Sequence, residues 1–290
     1  MNALKPIPFK IQKSKNHALL IQIDEADAFY NQLHYHPEFQ ITAIIRGTGV
    51  FYAGNNMSAF EPGEVLLIGS NVPHLLKNSP TQSTQKEQGV KGISLFFDEF
   101  SFGKQFFEIR EMVAIKSLLR ESNRVLKISG ELKKAIYHKI ISTPTISNEQ
   151  LVITFLEILA LINQADKTYL NNEQYMLMLN EDEGGRLNEV LDFTFKNFNR
   201  EITIEQITQI AHLSRSQFSY FFKLHTGKTY IQFLNELRIE NACISLRNTT
   251  HTIAQICYEV GFKNVSNFVR QFKKIKNSTP SKYRKLWVNQ

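Results

Sequence analysis

Near the C-terminus, one residue pattern occurs twice, about fifty positions apart. The first copy has Thr203-Ile-Glu-Gln-Ile207 followed by Phe218, Phe222 and Lys223, and the second has Thr252-Ile-Ala-Gln-Ile256 followed by Phe268, Phe272 and Lys273. Each copy predicts a short helix, a turn and a second helix whose buried side carries phenylalanines. The repeat therefore restricts this part of the chain to an all-helical domain with a duplicated helix-turn-helix.

Local signals mark where the helices of the two units begin. A Ser or Thr followed three residues later by Gln fits the capping box at Thr203, Ser214 and Thr252. Such a box satisfies backbone amides that are otherwise unpaired, and the N-cap alone is worth about 1 kcal/mol. In the second unit, Gly261 suits the left-handed backbone of a sharp turn, and Asn264 suits an N-cap.

A long amphipathic segment from Gly227 to Leu246 lies between the two units. Its length predicts a connecting helix that fixes their spacing. If the second helices of both units face the same side of a DNA duplex, they should lie about one helical turn, roughly 34 Å, apart.

The outward sides of the two second helices are polar and basic. In the helix predicted from Ser214 to His225, this side carries Arg215, Ser216, Ser219, Tyr220 and Lys223. In the helix predicted from Asn264 to Lys274, it carries Ser266, Asn267, Val269, Arg270, Lys273 and Lys274. These eleven residues are the predicted DNA contacts, although each alone is also what a solvated helix face carries.

The predicted contacts divide by chemistry. Arg270 has the donors for a bidentate contact with guanine, and Asn267 has the amide for a contact with adenine. The lysines are predicted to hold phosphates, and they are Lys223, Lys273, Lys274 and, just beyond the helix, Lys276.

Positive charge is concentrated in this C-terminal part. Residues 186–290 hold 16 of the 34 Lys and Arg residues but only 7 of the 27 Asp and Glu, a net charge of +9, whereas residues 1–185 carry −2. Phosphate neutralisation supplies most non-specific affinity for DNA. The asymmetry therefore favours a polyanion-binding domain joined to a nearly neutral sensory or assembly domain.

Short strand-like segments separated by turn signals occupy residues 17 to 100. They are Ala18–Ile23, Phe39–Ile45, Val50–Tyr52, Glu64–Ile68 and Ile93–Phe97. Many short strands at close spacing, without helices between them, favour an antiparallel barrel or sandwich.

The apolar period becomes helical after residue 100. Helices are predicted over Gln105–Glu121, Glu131–Ser142 and Glu149–Asn163, with a capping box from Ser147 to Gln150. The third helix is apolar on two faces, so it packs either wholly within one subunit or also against another, and residues 131–165 are a candidate dimer interface. Residues 166–185 are polar and predict a linker with at most one helical turn.

The two cysteines and the apolar runs bear on location. Cys243 and Cys257 lack CxxC spacing and fall within amphipathic patterns, so they are predicted to be core residues in a reducing compartment. No stretch reaches the roughly 18 apolar residues of a membrane span, and Met1 to Phe9 has no signal-peptide core. The sequence predicts a cytoplasmic protein without a membrane segment.

The C-terminal part resembles the AraC/XylS family of bacterial transcription regulators over about 100 residues. The residues that carry the likeness are Ile207, Ala211, Leu213, Ser214, Phe218, Phe222, Lys223, Gly227, Arg238, Ala242, Ile253, Ile256, Val260, Gly261, Phe262, Phe268, Arg270, Phe272, Lys273, Thr279, Pro280, Tyr283 and Arg284. One departure is Tyr230, where the family usually has proline. The resemblance implies double-stranded DNA, a small-molecule effector, a homodimeric partner and RNA polymerase as interaction partners.

Four N-terminal segments are similar to the two motifs of the cupin barrel. They are His34 to Gln40, Gly47 to Gly49, Pro62-Gly63 and Asn71 to His74. In metal-bearing cupins the ligands are two histidines and a glutamate from the first motif and a histidine from the second. Here His34, His36 and His74 match by position, but Gln40 stands at the glutamate position, and a neutral amide is a poorer ligand for a divalent ion.

The resemblance implies a small molecule, often a sugar or another metabolite, inside this barrel. The residues predicted to line its site are His34, His36, Glu38, Gln40, Tyr52 and His74. The favoured interpretation has no cofactor and no metal. Two alternatives stay open, namely a metal-dependent cupin enzyme that carries a DNA-binding module and a constitutive activator whose barrel is structural.

The sequence therefore predicts an α+β chain of two domains. Residues 1–165 form a cupin-like β-barrel, about 17–100, followed by helices at about 103–165, and serve effector binding and dimerisation. Residues 166–185 form a linker. Residues 186–290 form an all-α domain of two helix-turn-helix motifs joined by a long helix, and the whole is predicted to be a non-enzymatic transcription regulator controlled by an effector.

Overall fold

A computed structural model of the chain describes residues 7–8, 11, 17–79, 89–171 and 181–288. Within these ranges, strands form two sheets in the N-terminal part, and helices form the C-terminal part. The predicted α+β class, with a β-barrel followed by a helical domain, is confirmed. None of the helices in the described ranges is long and apolar enough to cross a membrane.

The two sheets are mostly antiparallel. The first, sheet A, has five strands in the order β1 (Ile7–Pro8), β3 (His34–Tyr35), β8 (His74–Asn78), β5 (Gly49–Ala53) and β6 (Asn56–Phe60). The second, sheet B, has six in the order β11 (Asp166–Tyr169), β10 (Leu126–Ser129), β7 (Val65–Ile68), β4 (Phe39–Arg46), β9 (Val90–Phe97) and β2 (Leu20–Ala26). Only β1 and β3 pair in parallel among the described strands.

Strand β5 shows why the segment Val50–Tyr52 is apolar without alternation. Its residues Phe51 and Ala53 pack between the two sheets, whereas Val50 and Tyr52 pack on the opposite side of sheet A against the C-terminal helices. All four side chains are buried. A strand that is covered on both faces has no polar side to present.

Helices cover the outer side of sheet B. They are α1 (Val113–Glu121), α2 (Leu132–Ser142) and α3 (Asn148–Gln164), and their apolar side chains share a core with β4, β7 and β9. The predicted helix over Gln105–Glu121 is wrong in its first half. Two 3₁₀ turns, Phe106–Glu108 and Arg110–Met112, precede α1, because the extended backbone of Ile109 interrupts the helix.

The segment predicted as a linker, 166–185, contains regular structure at both ends. Residues Asp166–Tyr169 form β11 and pair with β10, which adds a strand to sheet B. Helix α4 (Glu181–Asn197) begins before residue 186. Residues 172–180 lie outside the described ranges, so the helical turn predicted for the linker is not tested there.

The described C-terminal part contains seven helices, of which α4 is the first. After α4 they are α5 (Ile204–Ala211), α6 (Arg215–Thr226), α7 (Tyr230–Asn248), α8 (Ile253–Glu259), α9 (Val265–Lys276) and α10 (Pro280–Val288). The connecting helix α7 starts three residues after the predicted Gly227, because Thr229 is its N-cap. Cys243 and Cys257 are both buried, as predicted.

The predicted helix starts are confirmed at the level of hydrogen bonds. Thr203, Ser214 and Thr252 each form a complete capping box with the Gln three residues later. Asn264 caps α9 through its side chain. At Ser147 only half of the predicted box is described, since its side chain accepts from the backbone of Gln150.

The C-terminal helices pack directly on the outer side of sheet A. The Asn188 amide of α4 accepts from the backbone N–H of Leu33 at 2.8 Å and donates to its carbonyl at 3.2 Å. The Glu240 carboxylate of α7 accepts from the N–H of Ala59 in β6 at 3.0 Å. One continuous apolar core joins the two parts.

Candidate nucleic-acid interface and ligand site

The outward face of α6 is the first candidate DNA contact surface. Phe218, Phe221 and Phe222 are buried beneath it. The five predicted contact residues on this helix are all exposed, and they are Arg215, Ser216, Ser219, Tyr220 and Lys223. Among the large apolar and aromatic side chains of the described residues, Tyr220 is the most exposed, at 73%. The structure thus places this predicted set on one accessible surface.

The outward face of α9 is the second candidate. Phe268 and Phe272 are buried beneath it. Of the predicted contacts, Ser266, Arg270, Lys273 and Lys274 are exposed, whereas Asn267 and Val269 are half-buried. Arg270 donates from Nη2 to the Asn267 side-chain oxygen at 2.9 Å. The two side chains predicted to read bases are therefore held against each other before any DNA is present.

Lys276, also predicted to contact phosphate, forms an ion pair within the protein. Its Nζ pairs with Glu240 Oε1 at 2.5 Å, and only 4% of the Glu240 side chain is exposed. Burial lowers the pKa of Lys276, but the Glu240 carboxylate outweighs it, and the net pKa lies above its ordinary value. Lys276 is thus tied to α7 and, through Glu240, to the barrel strand β6.

A cleft of about 460 Å³ separates the two helix-turn-helix units. Sequence reasoning missed its lining, since Arg200, Arg238 and Lys263 come from three separate segments. Arg238 donates to the carbonyls of Phe198 and Arg200, which fixes the loop before α5 on α7. No local pattern marks such a pocket, because only tertiary packing forms it.

Gly261 sets how closely the second unit approaches this loop. Its φ is +90°, as the predicted turn requires, and a Cβ atom there would lie 2.6 Å from the carbonyl oxygen of Phe198. Both backbone strain and a steric clash therefore oppose any other residue.

A cluster of histidines between the two sheets is the candidate ligand site. His34 in β3 pairs directly with His74 in β8, and their ring centroids are 4.3 Å apart. His36 lies beside them, with its centroid 5.2 Å from that of His74. The Gln40 side chain of β4 approaches from sheet B, with Oε1 3.1 Å from Nε2 of His36. Four of the six predicted effector residues are therefore together.

The remaining two predicted residues differ in position. Glu38 lies at the edge of the cluster, with Oε2 3.8 Å from Nδ1 of His36. Tyr52 is separated from it, because its ring packs against Phe233 of α7 with centroids 5.5 Å apart, on the outer side of sheet A. A one-residue shift along a strand exchanges its two faces, and sequence alone does not fix which face is which.

Burial keeps the three imidazoles neutral. It lowers the pKa of His34 to about 4. It also lowers the pKa of His36, and it holds the pKa of His74 well below its ordinary value, to which the neighbouring His34 and His36 add. Neutral imidazoles accept hydrogen bonds and bind cations, so the cluster is a set of lone-pair donors rather than a positive pocket.

Two family models match the chain over separate ranges. The model described as an AraC-like ligand binding domain matches residues 16–87, which include the histidine cluster. The model described as a helix-turn-helix domain matches residues 207–286, which include α6 and α9.

Similar proteins are regulators by name. An HTH-type transcriptional regulator of Staphylococcus aureus strain COL is 26% identical over 244 residues, which cover 83% of this chain but 30% of that protein. The HTH-type transcriptional regulator YdeC of Bacillus subtilis strain 168 is 22% identical over 270 residues, which cover 89% of this chain and 87% of YdeC. The chain thus spans less than a third of the length of the staphylococcal relative.

Among solved structures, ToxT from Vibrio cholerae O395 aligns with 94% of this chain and 99% of its own, at 15% identity and a TM-score of 0.39. The DNA-binding domain of AdpA, in complex with a target DNA, aligns with 36% of this chain and 94% of its own, at 22% identity and a TM-score of 0.35.

Proposed function

We propose that this chain, an AraC-type HTH transcription regulator with an N-terminal ligand-binding domain, reads DNA through the outward faces of α6 and α9 under the control of that domain. The observation that supports this most strongly is the matched pair of capped helices. In each, phenylalanines are buried beneath an exposed polar and basic face. Residues 186–290 also carry the excess of positive charge on which DNA affinity depends.

The side chains on these helices are proposed to have two different roles in DNA binding. Arg270 would contact a base edge, oriented by its hydrogen bond to Asn267, since a guanidinium held in one position loses little freedom on binding. Lys223, Lys273 and Lys274 are exposed and would contact phosphates. Phosphate contacts set position and affinity, whereas base contacts set sequence preference.

We propose that ligand binding reaches the readers through the contact between the domains. Asn188 is bonded to both backbone groups of Leu33, and Leu33 directly precedes His34 of the ligand site. If the ligand and DNA favour different arrangements of this contact, or the same one, each changes the affinity for the other. The two changes equal one coupling free energy, typically about 1–3 kcal/mol. We also propose that the N-terminal domain ends at residue 165 and that the C-terminal domain begins at residue 186.

A homodimer is proposed to form through the helices that cover sheet B. Ile153 of α3 is 52% exposed and Val113 of α1 is 63% exposed, so apolar side chains remain uncovered on this side. We further propose a contact with RNA polymerase, a cytoplasmic location and no catalytic turnover, in keeping with a regulator of this family.

The proposal is tested by measuring DNA affinity for two variants of α9. A preferred duplex is first selected from a random pool with the full chain, and binding is then measured by fluorescence anisotropy over a range of salt concentrations. Arg270→Ala should cost about 1–3 kcal/mol on the preferred duplex and relax preference at one position. Lys273→Ala should weaken all duplexes alike and lower the salt slope by about one.

Lys104→Ala is the matched control, because it removes one exposed lysine from the other domain, outside the helices proposed to form the dimer. It should leave both affinity and salt slope unchanged. If Arg270→Ala lowers the affinity for preferred and random duplexes equally, Arg270 does not read a base. If neither α9 variant differs from the control, the proposed DNA surface is wrong.

A further inference from the structure

Three buried histidines converge between the two sheets of the barrel. The nitrogen atoms that His34, His36 and His74 can offer lie within 4.8 Å of one another. We propose that these imidazoles bind one divalent transition-metal ion, with the side-chain amide of Gln40 as a fourth ligand. This site differs from the metal-free barrel favoured by the sequence, and it does not depend on the DNA-binding function proposed above.

The hydrogen bonds of the three rings select the nitrogen that faces the ion. The Nδ1 atoms of His34, His36 and His74 lie 2.9, 2.9 and 2.8 Å from the carbonyl oxygens of Gln32, Glu38 and Val72. Because a carbonyl oxygen only accepts, Nδ1 carries the hydrogen in each ring and Nε2 carries the lone pair. Metal-bound histidines are commonly oriented by such a bond at their other nitrogen.

The Nε2 atom of His74 independently indicates a cation site. It is buried and has no hydrogen-bond partner among the described residues. Buried polar atoms in proteins are rarely left unsatisfied, since the lost hydration is then not replaced. A metal ion would use this lone pair.

The contact between His36 and Gln40 leads to the same position. Gln40 donates from Nε2 to the hydroxyls of Thr42 and Ser94, so its Oε1 faces Nε2 of His36 at 3.1 Å. Two acceptors then face each other, and burial opposes placing a proton on the imidazole. A cation beside both atoms would satisfy both. With the amide turned over, His36 would gain a hydrogen bond, but the His74 nitrogen would remain unpaired.

The donor set selects the class of ion. Imidazole nitrogens suit Zn²⁺, Co²⁺ and Ni²⁺, whereas Mg²⁺ and Ca²⁺ prefer carboxylates and water. With Zn–N bonds of about 2.0–2.1 Å, tetrahedral ligands lie roughly 3.3 Å apart. Binding would therefore draw the nitrogens inward from their present limit of 4.8 Å. It would tie β3 and β8 of sheet A to β4 of sheet B.

Glu38 is placed to act on the ion through His36. Its Oε2 is buried without a hydrogen-bond partner among the described residues and lies 3.8 Å from Nδ1 of His36. A carboxylate on the far side of a metal-bound imidazole makes that ligand more basic and fixes its orientation. Glu38 is thus a positioning residue rather than a ligand.

The test uses the full chain without an affinity tag, after treatment with a chelator and its removal. Co²⁺ and Zn²⁺ are added separately, and bound metal is measured by equilibrium dialysis with elemental analysis. One equivalent per chain is expected, with ligand-field absorption bands for Co²⁺. The melting temperature should rise with Zn²⁺ concentration and should not respond to Mg²⁺.

Variants locate the ion. His74→Ala should abolish the stoichiometric site, and Glu38→Gln should weaken Zn²⁺ binding about 10- to 100-fold while keeping the stoichiometry. Gln40→Glu replaces the amide by a carboxylate of similar size and should bind at least as tightly as the unmodified chain. His138→Ala, which removes an exposed histidine of α2, is the control and should change nothing.

Absence of a stoichiometric ion in the unmodified chain would overturn the proposal. So would binding that survives unchanged in both His74→Ala and Glu38→Gln, since the ion would then lie elsewhere. If His74→Ala does not fold, the Zn²⁺ affinities of the other variants decide the question. Gln40→Glu should bind at least as tightly as the unmodified chain, and Glu38→Gln should bind more weakly than it. Any other order contradicts the proposal.

Discussion

Lys273 and Lys276 lie on the same helix, three residues apart, but their surroundings differ. Lys273 is exposed and belongs to the proposed DNA surface. Lys276 is paired with Glu240, whose other carboxylate oxygen accepts from the backbone of Ala59 in the barrel. The first lysine is available to a polyanion, and the second is part of the protein's internal structure.

Substitution of the two lysines should therefore separate stability from DNA affinity. Lys276→Ala leaves the Glu240 charge buried without its cation and should lower the free energy of unfolding by about 3 kcal/mol. Lys273→Ala should change that free energy by less than about 0.5 kcal/mol. Urea denaturation followed by circular dichroism measures both. Equal stabilities for the two variants would show that the Glu240 pair contributes little.

At the residue scale, helical period predicted which side chains lie outward, because the buried phenylalanines fix the rotation of α6 and α9. It did not exclude Lys276, since Glu240 is 36 positions away along the chain and only the packing of α7 on α9 brings the two together. Tyr52 was misplaced for a related reason. Both sides of β5 are apolar, so its sequence does not reveal which side faces the barrel interior.

At the element scale, helix starts were the most predictable feature, because a capping box is a local interaction. The structure adds a fourth box, from Thr229 to Gln232, at the start of α7. Tyr230 follows this cap at the first helical position, where proline is often favoured. Its ring packs against Phe218 and Phe222, and its hydroxyl lies 2.9 Å from that of Thr194, which explains why a tyrosine is accommodated.

The cap of α8 offers a direct test of this element-level reasoning. Thr252→Ala removes the side chain that accepts from the backbone of Gln255 and should cost about 1 kcal/mol of unfolding free energy. Thr252→Ser keeps the hydroxyl and should remain close to the unmodified chain. Thermal and urea unfolding of the two variants check this. A serine variant as unstable as the alanine variant would point to lost methyl packing instead.

The less predictable elements are those whose existence depends on partners. Strand β11 is a polar segment that is ordered by pairing with β10. The two 3₁₀ turns before α1 carry the apolar spacing of a helix, but Phe106 and Phe107 pack against Phe102 and Phe97 instead of continuing one helical face. Tertiary contacts outweigh local period at both places.

At the scale of the whole molecule, the contact between the domains is the feature that sequence analysis did not foresee. Asn188, Glu240 and Arg247 come from two helices and meet the barrel at three places, Arg247 through an ion pair with Glu61 at 2.7 Å. Each of these side chains bonds a group more than 150 positions away. No pattern within a short window encodes such pairs, although the separate folds of the two domains could be predicted.

Asn188 is the most direct point at which to test this contact. Asn188→Ala leaves the N–H and carbonyl of Leu33 buried without their partner and should destabilise the chain by at least about 2 kcal/mol. Because the contact joins the domains, unfolding should also become less cooperative, with separate transitions in calorimetry. Asn199→Ala, at an exposed asparagine, is the control. A single, unshifted transition in Asn188→Ala would show that the domains do not depend on this contact.

The apolar side of α4 and α7 rests on sheet A, and this affects how far the molecule can be dissected or recombined. A fragment containing only the readers would expose Phe233 and its neighbours to water, and we expect it to self-associate unless that side is made polar. In a chimera with a different sensor domain, that domain must offer a surface whose shape matches the apolar side of α4 and α7. Exchange of modules in this protein is thus a problem of interface design as much as of linker length.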